Sequence, residues 1–227
     1  MGNTNEFDDI AGDYSELVET GMVLKGSDHE YFNQYKLFYL EPYMKKLHGE
    51  FKLLDYGCGV GLLSRTIQSR FPRAAIHGFD VSAESIDNVD LELRNKSQNR
   101  FCSNLEDLDE DYDIAILSTV LHHVPISERM DVIGNIYKRL KKYGLLIVFE
   151  HNMKNPLTRK SVAACPFDNE AVMLTLSECE KLLKGMFSSI NSKYVTFFPE
   201  QLRKLWFIDK YIGWLPMGAQ YMIVAAK

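Results

Sequence analysis

Short apolar runs alternate with segments of helically spaced apolar residues along most of the chain after residue 50. The runs have the length and composition of buried strands, and the segments between them place apolar residues three and four positions apart, as helices do. This alternation predicts an α/β fold in which crossover helices join the strands of a parallel sheet. The predicted strands are 51–55, 74–79, 100–103, 112–118, 144–150, 187–198 and 220–226.

The segments between the strands carry local helix signals. Ser177 and Glu180 match the spacing of a capping box at the start of a helix. Residues 151–169 contain Asn152, Asn155 and Pro156 and are predicted as a loop. The predicted helices are 61–71, 83–95, 127–142 and 177–186, and 201–215 is predicted as a helix or a lid insertion.

The N-terminal section has helical spacing but no strand pattern. Apolar residues in 1–26 predict a short helix beside a mobile segment. Ser27 and Glu30 frame a capping box that opens a helix to about Leu47, and Pro42 is expected to kink or divide that helix. We therefore predict a helical cap or lid over residues 1–48 and one α/β domain over residues 49–227.

Composition narrows the class of partner. The chain has 227 residues, a formal net charge of −5 and a sequence pI of about 5.7, which argues against a protein that tracks nucleic-acid phosphates. Its four cysteines show no C-x-x-C spacing, so neither a zinc knuckle nor a redox pair is indicated. The sequence shows neither a signal peptide nor an apolar run of membrane-spanning length, so we expect a cytoplasmic protein without a membrane partner.

The most informative stretch is FKLLDYGCGVG, at 51–61. An apolar strand ends at Asp55, three glycines follow at Gly57, Gly59 and Gly61, and a helical pattern begins directly afterwards. Glycines allow a backbone to turn sharply and to lie against a ligand. A turn of this kind presents N–H groups and the positive end of a helix dipole to a nucleotide-like molecule.

The spacing of the glycines argues against a dinucleotide and excludes the phosphate site of a P-loop. A dinucleotide fingerprint requires a third glycine where this chain has Leu62, and no Gly-Lys-Ser/Thr follows to form a P-loop. Asp55 would also repel a pyrophosphate, and it suits a ligand with cationic groups. LLDYGCGVG resembles the first motif of class I S-adenosylmethionine-dependent methyltransferases at every position.

This resemblance implies a fold, a cofactor and a set of cofactor-binding residues. The implied fold is a doubly wound, seven-stranded Rossmann-like sheet with an antiparallel seventh strand, and the implied cofactor is S-adenosyl-L-methionine. Asp55 would lie near the methionyl amino group, and Asn104 and Leu105 near the adenine. The full set of cofactor-binding candidates is Asp55, Gly57, Cys58, Gly59, Gly61, Asp80, Val81, Asn104, Leu105, Ser118 and Tyr14.

Asp80 ends the second predicted strand, where open α/β sheets bind their ligands. A carboxylate there can accept two charge-assisted hydrogen bonds from a ribose diol. The alternative is that Asp80 caps the next helix, but Ser82 is available for that role.

His122 and His123 follow the fourth predicted strand and are open to three interpretations: metal ligands, a general base, or local structure. A metal would need convergent ligands, which Glu150 and His151 could supply, but no spaced-ligand motif accompanies them, so we predict no metal. We expect the two rings to point in opposite directions, with His122 inward and His123 toward the substrate. The catalytic candidates are therefore His123, His122 and His151. The expected role is that of a general base, because imidazole titrates near neutral pH.

The predicted activity is transfer of a methyl group from S-adenosylmethionine to a small-molecule acceptor, with a hydroxyl group favoured. Two alternatives stay open: a cofactor-binding module without catalysis, and a nicotinamide-linked oxidoreductase, which Leu62 disfavours. The sequence names neither the acceptor nor the oligomeric state.

Overall fold

The computed structural model describes residues 27–165, 168 and 171–227. They contain a seven-stranded mixed sheet with the strand order β3-β2-β1-β4-β5-β7-β6, in which β7 is antiparallel to both of its neighbours. This confirms the predicted α/β class and the doubly wound, seven-stranded sheet. The strands are β1 (Phe51–Tyr56), β2 (Ala74–Phe79), β3 (Arg100–Cys102), β4 (Tyr112–Ser118), β5 (Leu140–His151), β6 (Ser189–Val195) and β7 (Gln220–Ala226).

The chain divides into two compact units, the first ending at Tyr112 and the second beginning at Asp113. In the first unit β1 pairs in parallel with β2, and β2 pairs in parallel with β3. Leu53, Leu54 and Ile76 are fully buried because these strands are covered on both faces. The helices of this unit are α1 (Ser27–Met44), α2 (Leu62–Arg70), α3 (Ala83–Asp87) and α4 (Leu91–Arg94).

The helix predicted over 83–95 is two helices in the structure. The carboxylate of Asp90 accepts a hydrogen bond of 2.7 Å from the N–H of Glu92, so Asp90 begins α4 instead of continuing α3. A short side chain that binds its own backbone competes with the helical hydrogen bonds. The prediction of one continuous helix was therefore wrong.

In the second unit β7 lies between β5 and β6 and is antiparallel to both, and its pairing with β5 sets Tyr221 opposite Glu150. Its helices are α5 (Arg129–Arg139), α6 (Pro156–Ala163), α7 (Leu176–Leu183) and α8 (Asp209–Ile212), with a 3₁₀ segment over Glu200–Ile208 before α8. β5 begins at Leu140, four residues earlier than predicted.

Two local signals in this unit were interpreted wrongly. Residues 151–169 were predicted as a loop, but Asn155 caps α6 by accepting hydrogen bonds from the N–H groups of Leu157 and Thr158. The cap of α7 is Thr175 with Glu178, not Ser177 with Glu180. The strand predicted over 187–198 is shorter at both ends.

At the N-terminus α1 runs from Ser27 to Met44 with Pro42 inside it, three residues short of the predicted end. The predicted short helix within 1–26 and the candidate Tyr14 lie outside the described residues, and the boundary between a cap and an α/β domain at residue 48 stays a prediction. Among the described helices none combines the length and apolar character that a membrane crossing requires.

Candidate functional site

The glycine turn after β1 has a left-handed backbone at alternate residues. Gly57, Gly59 and Gly61 have φ of 76°, 51° and 78°, values that residues with a Cβ rarely adopt. The N–H groups of Gly57 and Cys58 both donate to the carbonyl of Phe79, at 2.7 and 3.0 Å, so the turn is tied to the end of β2.

The space around the turn differs from glycine to glycine. A Cβ added to Gly61 would lie 3.3 Å from Val89, whereas one added to Gly59 would have no atom of the described residues within 4 Å apart from its chain neighbours. The left-handed φ of Gly59, and not crowding by the described residues, therefore favours glycine at this position. The open space beside it lets a ligand approach the backbone closely.

Asp55 is buried at the end of β1, and its carboxylate accepts a hydrogen bond of 2.7 Å from the hydroxyl of Ser64 on α2. Burial raises the pKa of Asp55 to about 6, against the lowering effects of the Ser64 hydrogen bond and the charge of Lys36 on α1. The sequence analysis identified Asp55 but neither Ser64 nor Lys36.

Asp80 joins the turn to the segment after β2. One carboxylate oxygen accepts from the N–H of Gly59 at 2.7 Å, and the other accepts from the N–H of Ser82 at 3.0 Å. Ser82 itself caps α3 by accepting from the N–H of Ser85. Asp80 is therefore not the cap of that helix, and its carboxylate orients the backbone of the glycine turn.

The remaining cofactor candidates occupy different surroundings. Val81 is exposed, Asn104 is exposed and caps a short 3₁₀ turn, and Leu105 is half-buried. Cys58 is half-buried, and burial raises the pKa of its thiol well above the usual value. Ser118 is the last residue of β4, in the second unit.

His122 lies in the turn after β4 and is almost completely buried, with 1% of its surface exposed. Its Nδ1 is 2.7 Å from one carboxylate oxygen of Glu150, whose other oxygen accepts from the N–H of Leu121 at 2.8 Å. Burial would raise the pKa of Glu150, but the charge of His122 and these hydrogen bonds lower it below its ordinary value. The carboxylate therefore orients both the imidazole and the backbone before it.

Asp168 completes a cluster with both histidines. Its Oδ1 lies 3.4 Å from Nε2 of His122 and 3.6 Å from Nε2 of His123. Burial alone would lower the pKa of His122, but the charges of Glu150 and Asp168 raise it to about 9. Burial and the neighbouring His122 lower the pKa of His123 to about 4.

The two rings do not point in opposite directions as predicted. Their centroids are 4.1 Å apart, and both rings face Asp168 because residues 119–124 form a turn, where the alternation of a strand does not apply. The centroid of the His151 ring is 5.2 Å from that of His122. His122, His123, Glu150 and His151 were thus named from the sequence, and Asp168 was not.

The segment after Asp168 is attached to the histidine turn through its backbone. The N–H of Val172 donates to the carbonyl of His122 at 2.9 Å. The guanidinium of Arg129 donates to the carbonyls of Val124 and Val172. These bonds hold residue 172 beside the turn that carries the histidines.

Comparison with known proteins identifies the kind of domain that this chain contains. Residues 54–146 match the model of a methyltransferase domain. The chain is 26% identical over 127 residues to a malonyl-[acyl-carrier protein] O-methyltransferase of Priestia megaterium. It is 33% identical over 105 residues to a ribosomal RNA small subunit methyltransferase C of Colwellia psychrerythraea.

These two alignments cover 55% and 43% of this chain but only 43% and 29% of the relatives, so the matched part spans less than half of either relative. Among solved structures, the plantazolicin methyltransferase BpumL in complex with a triazolic desmethylPZN analog and SAH aligns with a TM-score of 0.64. That alignment covers 99% of this chain and 98% of BpumL at 16% identity, which shows a shared fold. The glycine turn and the sheet described above agree with this match, so residues 54–146 belong to a methyltransferase domain with a Rossmann-like fold.

Proposed function

We propose that this protein binds S-adenosylmethionine and transfers its methyl group to the hydroxyl of a small-molecule acceptor. The observation that carries the cofactor assignment is the link between Asp80 and the N–H of Gly59, which sets a carboxylate beside an open glycine turn. A carboxylate at the end of β2 can accept charge-assisted hydrogen bonds from a ribose diol. Asp80 would accept such bonds from the ribose hydroxyls of the cofactor.

Asp55 supports the same ligand. Its burial disfavours the ionised carboxylate, and a cationic group placed against it would offset that cost. The amino group of the methionyl part is such a cation. A pyrophosphate would bring negative charge toward two carboxylates, so a nicotinamide cofactor is the weaker candidate.

The reaction itself needs alignment more than covalent help from the protein. The acceptor oxygen attacks the methyl carbon in line with its bond to sulfur; an O–CH₃ bond forms, and the S–CH₃ electron pair returns to sulfur to give S-adenosylhomocysteine. Holding the two reactants in line contributes an effective molarity on the order of 10⁵ M or more. The hydroxyl proton would pass to an imidazole, and His123, His122 and His151 are the candidates.

An oxygen acceptor is favoured because a hydroxyl needs help in losing its proton, and three imidazoles lie together in the second unit. The O-methyltransferase among the relatives has a name that agrees with this acceptor atom. The relative named for ribosomal RNA suggests a nucleic-acid acceptor, which the net charge of −5 disfavours.

Two measurements test the proposal in sequence. Calorimetry should show S-adenosylmethionine and S-adenosylhomocysteine binding far more tightly than NAD; no S-adenosylhomocysteine binding at millimolar concentration would refute the cofactor. Methyl-labelled S-adenosylmethionine is then incubated with hydroxyl, amine and thiol acceptors and with RNA. Label transferred to a small-molecule hydroxyl supports the full proposal, whereas binding without transfer to any acceptor supports a non-catalytic module.

A further inference from the structure

Three side-chain atoms in the second unit converge as metal ligands do. His122, His123 and Asp168 each offer one ligand atom, and these three atoms all lie within 4.8 Å of one another. Nε2 of each histidine is the atom that approaches Oδ1 of Asp168. Two imidazole nitrogens and one carboxylate oxygen are a common ligand set for divalent transition metals, as in His₂Glu zinc sites. The oxygen-preferring ions Mg²⁺ and Ca²⁺ do not suit such a set.

The two distances from the Asp168 carboxylate to the imidazole nitrogens agree with a tetrahedral site better than with an octahedral one. Ligands about 2.0–2.1 Å from a tetrahedral Zn²⁺ are about 3.3–3.4 Å apart, whereas neighbouring ligands of an octahedral ion are about 3.0 Å apart. Asp168 Oδ1 is 3.4 Å from the nitrogen of His122 and 3.6 Å from that of His123. Both distances are closer to the edge of a tetrahedron.

The hydrogen-bond partner of Nδ1 on His122 is of the kind that metal-binding histidines have. Ligating histidines usually present their second nitrogen to a carboxylate, which fixes the tautomer and the ring orientation. Glu150 takes that position at 2.7 Å from Nδ1. Nε2 on the other side of the ring is buried and lies 3.4 Å from Oδ1 of Asp168, and among the described residues it makes no well-directed hydrogen bond. A buried nitrogen that faces a carboxylate and a second imidazole in this way has the surroundings of a metal ligand.

We propose that His122, His123 and Asp168 bind one divalent first-row transition-metal ion with tetrahedral preference, of which Zn²⁺ is the type, with Glu150 as the residue that orients His122. Three protein ligands leave one coordination position for water or for a heteroatom of another molecule, as in catalytic zinc sites.

A consequence for catalysis rests on the proposed function. Metal coordination would use the nitrogen lone pairs of His122 and His123, so neither ring could then accept a proton from the acceptor. His151, whose ring centroid is 5.2 Å from that of His122, would be the imidazole outside the ligand set. The metal would also make a hydroxyl at the open position easier to deprotonate.

A single proton on His122 could bridge the same atoms without any metal. Metal titration of the stripped protein distinguishes a bound metal from such a proton. Protein stripped with a chelator is titrated with Zn²⁺ by calorimetry and with Co²⁺ by visible absorption. We expect one equivalent of each to bind, and the Co²⁺ complex to show the intense bands of a tetrahedral site.

Four variants test which residues bind the metal ion. Asp168→Asn and His123→Ala should weaken binding by more than roughly 100-fold, and Glu150→Gln by roughly 10–100-fold, as expected for a residue that orients a ligand. His151→Ala, in the same cluster but outside the ligand set, should bind like the wild type. Circular dichroism and thermal unfolding check that each variant is folded.

The proposal is overturned if the stripped wild type binds no stoichiometric metal, or if Asp168→Asn and His123→Ala bind as tightly as the wild type. Loss of binding in the His151→Ala variant would also overturn the assigned ligand set. S-adenosylhomocysteine binding is measured on the same stripped protein, so a failure of the metal site and a failure of the cofactor assignment are distinguishable.

Discussion

The carboxylate of Asp80 accepts a hydrogen bond of 2.7 Å from the N–H of Gly59, although the two residues are 21 positions apart. The bond connects the end of β2 to the middle of the glycine turn after β1. Because Gly59 has a φ of 51°, its N–H can be directed at a carboxylate instead of continuing a strand or a helix. The sequence motif thus encodes a turn and an acid that hold each other in place.

Substituting Asp80 should weaken cofactor binding more than it weakens the fold. In Asp80→Ala the charge-assisted bonds to the ribose are lost, at about 1.5–3 kcal/mol, so the dissociation constant for S-adenosylhomocysteine should rise roughly ten- to a hundred-fold. Calorimetry measures the affinity, and Asp87→Ala, which removes a largely exposed carboxylate on α3, is the control. An unchanged affinity would mean that Asp80 serves the turn alone.

Two glycines with similar backbones but different surroundings give a matched comparison. Gly59 and Gly49 both have positive φ, and in the part of the chain that the structure describes an added Cβ would have no atom within 4 Å at either position beyond the chain neighbours. Alanine at each position should cost roughly 1–2 kcal/mol of unfolding free energy through backbone strain. Only Gly59→Ala should also weaken S-adenosylhomocysteine binding, because its methyl group would enter the space beside the turn. Equal affinities in the two variants would contradict a ligand at Gly59.

The raised pKa of Asp55 predicts that the free energy of unfolding depends on pH. Its pKa in the folded protein is about 6, above the ordinary value of 3.8. A carboxyl group that binds its proton more tightly when folded favours folding at low pH, and this contribution is lost as the pH rises through about 6. Asp55→Asn removes the group, and its amide oxygen can still accept from Ser64. The variant should therefore gain stability relative to the wild type between pH 4 and pH 7, by up to about 3 kcal/mol.

Urea unfolding of both proteins across this pH range measures the difference, and other titrating groups cancel in the comparison. The same variant should bind S-adenosylmethionine less tightly, because the cation of the methionyl part loses its counter-charge. A stability difference that does not change with pH would show that Asp55 titrates normally.

The parts of the fold that were predictable are those encoded locally. β1, the glycine turn and α2 follow one another within a few residues, and β4 and β7 are apolar runs that need no long-range information. Asn155 and Pro156 also form a local signal, an N-cap followed by a proline in the first turn. The same residue types mark turns, and only packing decides between the two interpretations.

The missed site residues are those that the fold brings together. Ser64 contacts Asp55 because α2 lies over the end of β1, and nothing in either segment alone predicts that hydrogen bond. Asp168 reaches His122 and His123 from a segment with no regular pattern, so sequence reasoning had no reason to select it from the chain's other acidic residues. Competing caps at Thr175 and Ser177 both satisfy the capping-box pattern, and the structure uses the earlier one.

The histidine turn carries the last prediction. His123→Ala should lower turnover by about 10²-fold or more and leave S-adenosylhomocysteine affinity nearly unchanged. Either as a base or as a ligand of the proposed metal, the residue would act on the acceptor and not on the cofactor. His122→Ala should instead lower stability by about 3–5 kcal/mol, because it leaves the buried carboxylate of Glu150 without its partner. His48→Ala, at an exposed histidine of the first unit, should change neither quantity. Steady-state kinetics with labelled cofactor and thermal unfolding separate these outcomes. If the His123→Ala and His122→Ala variants both keep full turnover, neither ring handles the acceptor proton, and His151→Ala becomes the variant that must show the loss.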